Sequence, residues 1–412
     1  MFLSPEEKLV KLRKKYKITQ KKLAGEDITR VFLGMIEVGK RGFTKKTGEI
    51  LCINMNKILK DRGLEDRVNL ADLMETKEAQ AKKYLLELMD NVDKVSIINS
   101  LWGIDQAIFE LNTKEKISWN IKIGDILRDG EERLEARKYY KDSLVGNRDV
   151  KILQGQILEI VRLNYYLNDF KDTILTANKL KVKILKENND LTLKILYNYA
   201  YAFYKEENYD KALKEFKYLL IRFENNKLEF NIKNMIGVCY EQIGEFAKGV
   251  EHYEALKKGR ENEEEIIIIL ANLLSVAIKL KNKPYLSKLY KEIKRSKKKI
   301  TKLDPIINFE LNLLLAKGAK ALDRFEESKK HYLQLFSGQN LEFKNISKLK
   351  AISELLKVST KEDYLMVKGL ELKYFDLIKK EKNCYIGLEF INYYLKNNNQ
   401  KDLNDILITL LN

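Results

Sequence analysis

Residues 200–213 read AYAFYKEENYDKAL, and residues 237–250 read GVCYEQIGEFAKGV. Each stretch begins with a small residue, has a second small residue twelve positions later, and has an aromatic residue three positions before the second. Small residues are needed where two helices cross closely, and an aromatic ring can fill the gap beside them. The pattern therefore predicts a pair of packed helices in each stretch.

The same pattern recurs along the chain. The second small residue of each unit falls, in order, at Ala136, Thr173, Ala212, Gly249, about Ser287 and Ser328, at intervals of 37, 39, 37, 38 and 41 residues. A helix pair at this period resembles the tetratricopeptide repeat, lengthened by a few residues over its usual length of about 34. The resemblance implies an all-α chain with a right-handed superhelical solenoid, whose first helices line a concave groove.

Composition agrees with long helices, because only three of 412 residues are proline. The cysteines Cys52, Cys239 and Cys384 form neither a metal-ligand spacing nor a disulfide framework, which indicates a reducing compartment. No signal peptide is visible. The longest apolar stretch, 266–278, is shorter than the roughly 20 residues that a bilayer needs. We therefore expect a cytoplasmic protein with no membrane partner.

The first sixty-odd residues differ from the rest in charge. Residues 1–67 contain 17 Lys/Arg against 9 Asp/Glu, a net charge of +8, and the other 345 residues carry only +9 of the total of +17. Eight basic residues and no acidic residue lie between Lys8 and Lys22. Clustering of this kind is typical of a protein that binds a polyanion. For each single lysine, a solvated surface charge remains the alternative.

Four helices are predicted in this basic segment. Ser4 and Glu7 form a capping box around Pro5, which suits the first position of a helix. A second helix follows the cap Thr19, a third spans 28–37, and Thr44 caps the fourth. The residues expected to face the core are Leu9, Leu12, Ile28, Leu33, Ile36, Ile50, Ile53 and Ile58. Two short helices joined by a tight turn in a basic bundle describe a helix-turn-helix.

The stretches 12–16 (LRKKY), 18–24 (ITQKKLA) and 36–41 (IEVGKR) resemble the XRE/Cro-repressor family over about residues 4–62. The turn has three residues between Ala24 and Ile28, where the family usually has four. The resemblance implies that Gln20 contacts a phosphate, that Arg30 bonds guanine and Val31 a thymine methyl, and that the residues after the third helix clamp the backbone. The implied DNA-binding set is Gln20, Thr29, Arg30, Val31, Lys40, Arg41, Thr44, Lys45 and Lys46.

Four domains are expected: 1–66 for DNA binding, 67–118 as helical linker and divergent first repeat, 119–344 as repeat sensor, and 345–412 as terminal repeats. The last helix pair of this fourth domain is expected to act either as a cap or as a dimerisation surface. Trp102 is expected to anchor the linker to the array. Polar and aromatic residues on the first helices of the repeats are the candidate peptide ligands: Arg162, Tyr165, Asn198, Tyr201, Asn231, Asn234, Asn272 and Asn308.

An asparagine amide is both donor and acceptor, so it can bond an extended peptide whatever the peptide's sequence. Asn198, Asn234 and Asn272 recur at spacings of 36 and 38 residues, close to the repeat period. The alternative is that a chain rich in asparagine places this residue everywhere. No phosphate-binding glycine loop, nucleophile elbow or paired metal ligands occur, so we expect no enzyme, no cofactor and no metal ion.

An XRE-type head on a tetratricopeptide array resembles the peptide-pheromone-sensing regulators of the Rgg/PlcR/PrgX/NprR group. The resemblance implies a homodimeric transcription regulator that reads an inverted-repeat operator in double-stranded DNA. A short signalling peptide in the groove would change the dimer geometry or the oligomeric state, as in quorum sensing. Two alternatives stay open: a repressor whose repeat scaffold is not gated by a peptide, and a repeat sensor that acts on a partner protein.

Overall fold

The computed structural model describes residues 2–90, 94–184, 187–224, 227–300, 303–336, 345–380 and 384–411. Within these ranges every regular element is a helix, so the prediction of an all-α chain is confirmed. The Cα positions divide the chain into two compact units, residues 1–199 and residues 200–412. Each unit is described by itself.

The first unit begins with a bundle of short capped helices. α1 (Pro5–Lys15) starts at Ser4, whose hydroxyl accepts a hydrogen bond from the Glu7 amide while the Glu7 carboxylate accepts one from the Ser4 amide. The threonine caps Thr19, Thr29 and Thr44 start α2 (Gln20–Ala24), α3 (Arg30–Glu37) and α4 (Lys45–Asp61). Each cap satisfies an amide that the first helical turn leaves without a partner. The structure has the predicted caps Ser4, Thr19 and Thr44, whereas the third helix starts at Arg30, two residues later than predicted, because Thr29 is its cap.

The apolar faces of these helices meet in one core. Its buried members include Leu9, Leu23, Leu33, Ile36, Leu51, Met55 and Ile58, and Leu73 of α5 (Leu70–Met74) joins them. One predicted core residue is wrong, because Ile53 is exposed on α4. Ile53 lies two residues after the buried Leu51, which turns its side chain by more than half a helical turn away from the core.

Helix pairs follow in both units. The first unit continues with α6 (Lys77–Asp90), α7 (Lys94–Asn99), α8 (Leu101–Glu110), α9 (Thr113–Asp129), α10 (Arg133–Ser143), α11 (Val150–Leu167) and α12 (Phe170–Ile184). α13 (Asp190–Lys205) begins in the first unit and ends in the second. The second unit continues with α14 (Tyr209–Arg222), α15 (Glu229–Ile243), α16 (Phe246–Lys257), α17 (Glu263–Lys279), α18 (Lys283–Lys299), α19 (Pro305–Ala321), α20 (Phe325–Gln334), α21 (Asn345–Val358), α22 (Tyr364–Lys380), α23 (Cys384–Lys396) and α24 (Gln400–Leu411).

The small residue on the first helix of a pair makes room for a ring from the second helix. A methyl group added at Gly237 would lie 2.4 Å from Cε1 of Tyr253, and one added at Gly124 would lie 2.8 Å from Cε1 of Tyr140. Both tyrosines are fully buried and follow the second small residue by four positions. Equivalent buried rings in other pairs are Phe216, Tyr290 and Tyr332.

These rings correct two details of the predicted repeat. The aromatic residue three positions before the second small residue is not the main filler of the gap, because Phe246 is half-buried and Phe325 is exposed. The fifth unit is also shifted by one residue. Leu286, which is buried, takes the fourth position of its helix as Ala136 does in α10, whereas Ser287 is half-buried.

Candidate functional site

The turn between α2 and α3 is closed by a side chain from α4. Gly25 has a φ of 62° and ends α2. Asn54 Nδ2 lies 3.2 Å from the carbonyl oxygen of Leu23 and 3.4 Å from Oδ2 of Asp27. A methyl group on Gly25 would lie 2.9 Å from the same nitrogen. The short turn thus depends on glycine for its φ and for the close approach of Asn54.

An ionic network holds α1, α2 and α3 together behind this turn. Arg13 Nε donates to Glu37 Oε1 at 2.5 Å and Arg13 Nη2 donates to Glu37 Oε2 at 2.9 Å. Gln20 Nε2 donates to the same Oε2 at 2.8 Å. The bidentate pair fixes the end of α3 against α1. The bond to Glu37 uses one amide hydrogen of Gln20, and the other could still be donated to a phosphate. The contact between Gln20 and a DNA phosphate therefore stays a prediction.

The same network sets the ionisation of Glu37. Burial by itself raises the pKa of this carboxyl, but the hydrogen bonds from Arg13 and Gln20 outweigh burial and leave the pKa below its ordinary value. The hydrogen bonds that Arg13 donates to the Glu37 carboxylate raise the pKa of Arg13. The pair is therefore ionised at neutral pH, and it links three helices through charge.

The outer face of α3 carries the residues predicted to read bases. Thr29 is the cap and its Oγ1 accepts from the Phe32 amide at 3.1 Å, while Arg30 and Val31 are exposed on the first turn. Phe32 packs against the core of the bundle. Met35 and Val38 are also exposed, so Val31, Met35 and Val38 form an apolar stripe at helical spacing that the sequence reasoning missed.

Basic residues surround this face. Lys21, Lys22, Lys40, Arg41, Lys45 and Lys46 are all exposed and form no ion pair with the part of the chain that the structure describes. Thr44 Oγ1 accepts from the Thr47 amide at 3.3 Å. The cations beside α3 and at the start of α4 are thus available to a polyanion.

Other cations of the basic segment are used internally. Lys8 Nζ donates to the carbonyl oxygens of Asp72 and Glu75 at 2.6 and 2.9 Å. Arg13 is occupied by Glu37, and Lys15 lies 3.3 Å from Asp66. Counting charge along the sequence therefore overstates the number of cations that can meet a ligand.

In the first unit, Arg162 lies in an open groove of about 670 Å³ between the end of α9 and the face of α11. Its Nη1 donates to Glu159 Oε1 at 2.6 Å. Tyr165 is exposed beside it and its ring meets that of Phe170 edge to face at 6.3 Å. Asn198 Nδ2 donates to the carbonyl oxygen of Lys194 in its own helix. None of these placements tests peptide binding, so Arg162, Tyr165 and Asn198 stay predicted peptide ligands.

In the second unit, the structure joins two of the predicted residues. Asn272 Nδ2 donates to Asn234 Oδ1 at 2.7 Å, which links α17 to α15. Tyr201 lies against Tyr204 with their ring centroids 5.9 Å apart. Asn231 is exposed. Asn308 accepts from Asn312 Nδ2 within α19. The structure therefore brings Asn234 and Asn272 of this set into contact across two helices.

A buried polar network between repeats was not predicted. Arg137 Nη1 in α10 donates to Asn164 Oδ1 at 2.7 Å and to Asp169 Oδ2 at 2.6 Å, and Asn164 Nδ2 donates to Asp172 Oδ2 at 2.9 Å. Asn164 is fully buried. In the sequence, only one signal could have indicated that Asn164 is buried. Asn164 lies three residues after Val161, on the side of α11 that packs against α10 and α12. The network holds successive helix pairs in register.

The described residues contain no group of three or more His, Cys, Asp or Glu side chains that could hold a metal ion. In the same residues, no helix combines the length and the apolar character that a membrane crossing requires. His252 and His331 lie against tyrosine rings in the second unit, and burial lowers the pKa of both.

No family model and no curated protein sequence matches this chain. Among solved structures, it is similar to a tetratricopeptide repeat protein from Parabacteroides merdae, with 16% identity over 68% of this chain and 98% of the other at a TM-score of 0.43. It is also similar to Bacillus thuringiensis PlcR in complex with the peptide PapR7 and DNA, with 13% identity, coverages of 81% and 96%, and a TM-score of 0.34. Similarities at this level identify no family.

Proposed function

We propose that this chain is a cytoplasmic, DNA-binding transcription regulator of the helix-turn-helix type. The observation that carries the proposal is the arrangement around α3: Arg30 and Val31 are exposed on its first turn, between exposed cations that form no ion pair with the described residues. A helix of this kind places its N-terminal side chains at base edges, and the flanking cations hold the phosphates. The Arg13–Glu37 pair keeps α3 fixed in the bundle, which favours a defined base contact.

The second part of the proposal is that the repeats bind a short peptide. Asn234 and Asn272 support it, because their hydrogen bond uses one amide hydrogen of Asn272 and the carbonyl oxygen of Asn234. It leaves both amide hydrogens of Asn234, and the second amide hydrogen and the carbonyl oxygen of Asn272. The groove that contains Arg162 supplies its guanidinium group and the exposed ring of Tyr166 in the first unit. Peptide binding would change the geometry or oligomeric state of a homodimer on an inverted-repeat operator.

The alternative without peptide gating also has an observation in its favour. The amides of Asn234 and Asn272 bind each other, so they serve packing between repeats even with no ligand. In that case the repeats act as a scaffold, and DNA binding is indifferent to peptides. A repeat sensor that acts on a partner protein predicts no sequence-specific DNA binding at all.

The first experiment is selection of fragments from the source genome by the purified full chain, at two salt concentrations. Recovery of a discrete inverted-repeat site supports the regulator, whereas diffuse binding that salt abolishes contradicts it. On the selected site, the doubly substituted variant Lys45→Ala/Lys46→Ala should lower the slope of log affinity against log salt by about 1.8, because each lost phosphate contact removes about 0.9. The doubly substituted variant Lys288→Ala/Lys291→Ala, in α18, is the charge-matched control and should leave the slope unchanged.

A further inference from the structure

α8 has two apolar faces, and only one of them is covered. Gly103, Ile104, Ala107 and Ile108 are buried in the core of the first unit. On the opposite face, Trp102 is 65% exposed and Phe109 is 71% exposed. Seven residues separate the two rings, so they lie on one side of the helix two turns apart. Trp102 therefore does not anchor the linker to the array, and the prediction that it does is wrong.

Neighbouring helices add to this surface. Leu86 of α6 and Val95 of α7 are exposed, and both helices pack against α8. The α8 surface is defined here as Trp102, Phe109, Leu86 and Val95. Trp102 and Phe109 place two large exposed aromatic rings on one side of α8, and Leu86 and Val95 are exposed on the helices that pack against it. Exposed aromatic rings paired on one helix face are typical of a protein interface.

The charges around the α8 surface distinguish between two kinds of partner, a nucleic acid and a second copy of this chain. The one acidic side chain near its centre, Asp105, is occupied by Lys138 Nζ and by the hydroxyl of Tyr139, each at 2.7 Å. Gln106, between the two rings, is neutral. Lys116 lies over the ring of Phe109, 5.1 Å from its centroid. The surface has no row of cations for a phosphate backbone and no row of like charge that would repel a copy of itself.

We propose that the α8 surface is the homodimer interface, with α8 of one protomer packed against α8 of the other about a two-fold axis. The choice of a second copy as the partner rests on the proposed function, since an inverted-repeat operator requires two heads. A two-fold interface buries the same patch twice. Two aromatic side chains per protomer, each about two thirds exposed, can bury about 400–700 Å² in all. Burial of Leu86 and Val95 would extend this area toward the roughly 1,200–2,000 Å² of a stable interface.

The test is the mass of the full chain in solution, by light scattering and sedimentation over a dilution series. Wild type should be a dimer, and the doubly substituted variant Trp102→Ser/Phe109→Ser should be a monomer, with its dissociation constant raised at least about a hundredfold. Both side chains are exposed, so the circular dichroism spectrum and the unfolding midpoint of the variant should match those of wild type. A wild-type chain that is monomeric throughout the series overturns the inference.

The matched control is Leu365→Ser/Leu372→Ser on α22, where two leucines seven residues apart are 83% and 72% exposed. This variant should remain a dimer. If it dissociates and the α8 variant does not, the interface lies on α22 and the inference fails. A second readout uses Trp119→Phe, which leaves Trp102 as the sole tryptophan. Its emission should move to longer wavelength as dilution separates the dimer, and an unmoved emission contradicts burial of Trp102.

DNA binding separates failure of this inference from failure of the proposed function. The α8 variant should bind a single half-site with the affinity of wild type. It should not show the higher affinity that wild type has for the complete inverted repeat. A dimer that dissociates on substitution at α8 but recognises no operator supports the interface and removes the regulator function. An α8 variant that still binds the inverted repeat as a dimer overturns the interface while leaving the regulator function in place.

Discussion

Asn272 and Asn234 lie 38 residues apart in sequence and share a hydrogen bond of 2.7 Å between Nδ2 of the first and Oδ1 of the second. The bond joins the first helices of two successive repeats. Asn272 lies two residues before Leu274, whereas Asn234 lies three residues before Gly237, so the two amides do not occupy the same position of the repeat.

Substitution of this pair tests the peptide half of the proposal. Asn234→Ala should lower the affinity for peptides selected on the full chain from a synthetic heptapeptide library by at least tenfold, because the amide loses both its donor and its acceptor. DNA affinity without peptide should not change. Asn392→Ala, at an exposed position of α23, is the control. Retention of peptide affinity in Asn234→Ala would remove this residue from the ligand site.

Substitution of Arg30 tests the proposal that α3 reads bases in DNA. Arg30→Ala should cost about 1–3 kcal/mol on the selected operator and relax the preference at one base pair, because a guanidinium can bond O6 and N7 of guanine together. The measurement is a set of dissociation constants for the operator and its single-base variants. Lys288→Ala removes the same charge from α18 and should leave the preference unchanged. If Arg30→Ala distinguishes the operator from its single-base variants as well as wild type does, another residue reads that base.

The ionic network at Glu37 predicts a pH dependence for the bundle. Because the pKa of Glu37 in the folded chain lies below the ordinary value of 4.5, the folded state binds fewer protons than the unfolded chain. The stabilisation is therefore complete above that pH and is lost as the pH falls through the folded pKa. Glu37→Gln should lower the free energy of unfolding at pH 7 by roughly 3 kcal/mol, since it leaves Arg13 without its counter-charge.

Denaturant unfolding of the two proteins at pH 7 and at pH 4 gives the comparison. The difference between wild type and Glu37→Gln should shrink at the lower pH. Glu49→Gln, on the exposed face of α4, is the matched control and should change little at either pH. A difference that stays constant between pH 4 and pH 7 would show that the carboxylate charge contributes nothing to stability.

Two glycines predict opposite effects of the same substitution. Gly237→Ala should destabilise the second unit by about 1–3 kcal/mol, because the added methyl group would lie 2.4 Å from the ring of Tyr253. A methyl group at Gly155 in α11 would have no atom within 4 Å, so Gly155→Ala should stabilise by about 0.5–1 kcal/mol. Thermal and denaturant unfolding measure both. A tolerated Gly237→Ala would disprove the role of the small residue in the repeat.

Much of the fold follows from signals that act within one helical turn. Ser4 with Glu7, Thr19 and Thr44 define predicted helix starts because a hydroxyl bonds an amide two or three residues away. Thr29 acts in the same way at α3, but it was not predicted as a cap. The repeat period is equally readable, since each pair repeats the same close crossing. The ring that needs the small residue was missed, because Tyr253 follows Gly237 by sixteen residues and no local pattern links the two.

The candidate sites were less predictable. Residue type and register led to Arg30 and Val31, and the structure exposes both on α3. The sequence did not reveal that Lys8 and Arg13 bind partners within the bundle, because these contacts join residues 64 and 24 positions apart. The sequence did not distinguish the predicted peptide ligands from one another either. Only the structure shows that Asn234 and Asn272 contact each other and that Asn308 accepts a hydrogen bond within its own helix.

The sequence by itself determined the all-α class, the helix starts and the period of about 38 residues, because capping and side-chain spacing act over a few residues and require no knowledge of distant neighbours. Only the tertiary structure decided which side chains are covered. Trp102 and Ile53 read as core residues but are exposed, whereas Asn164 is polar and buried. Burial depends on which helices pack against a face, and this is settled by contacts between residues far apart in the chain.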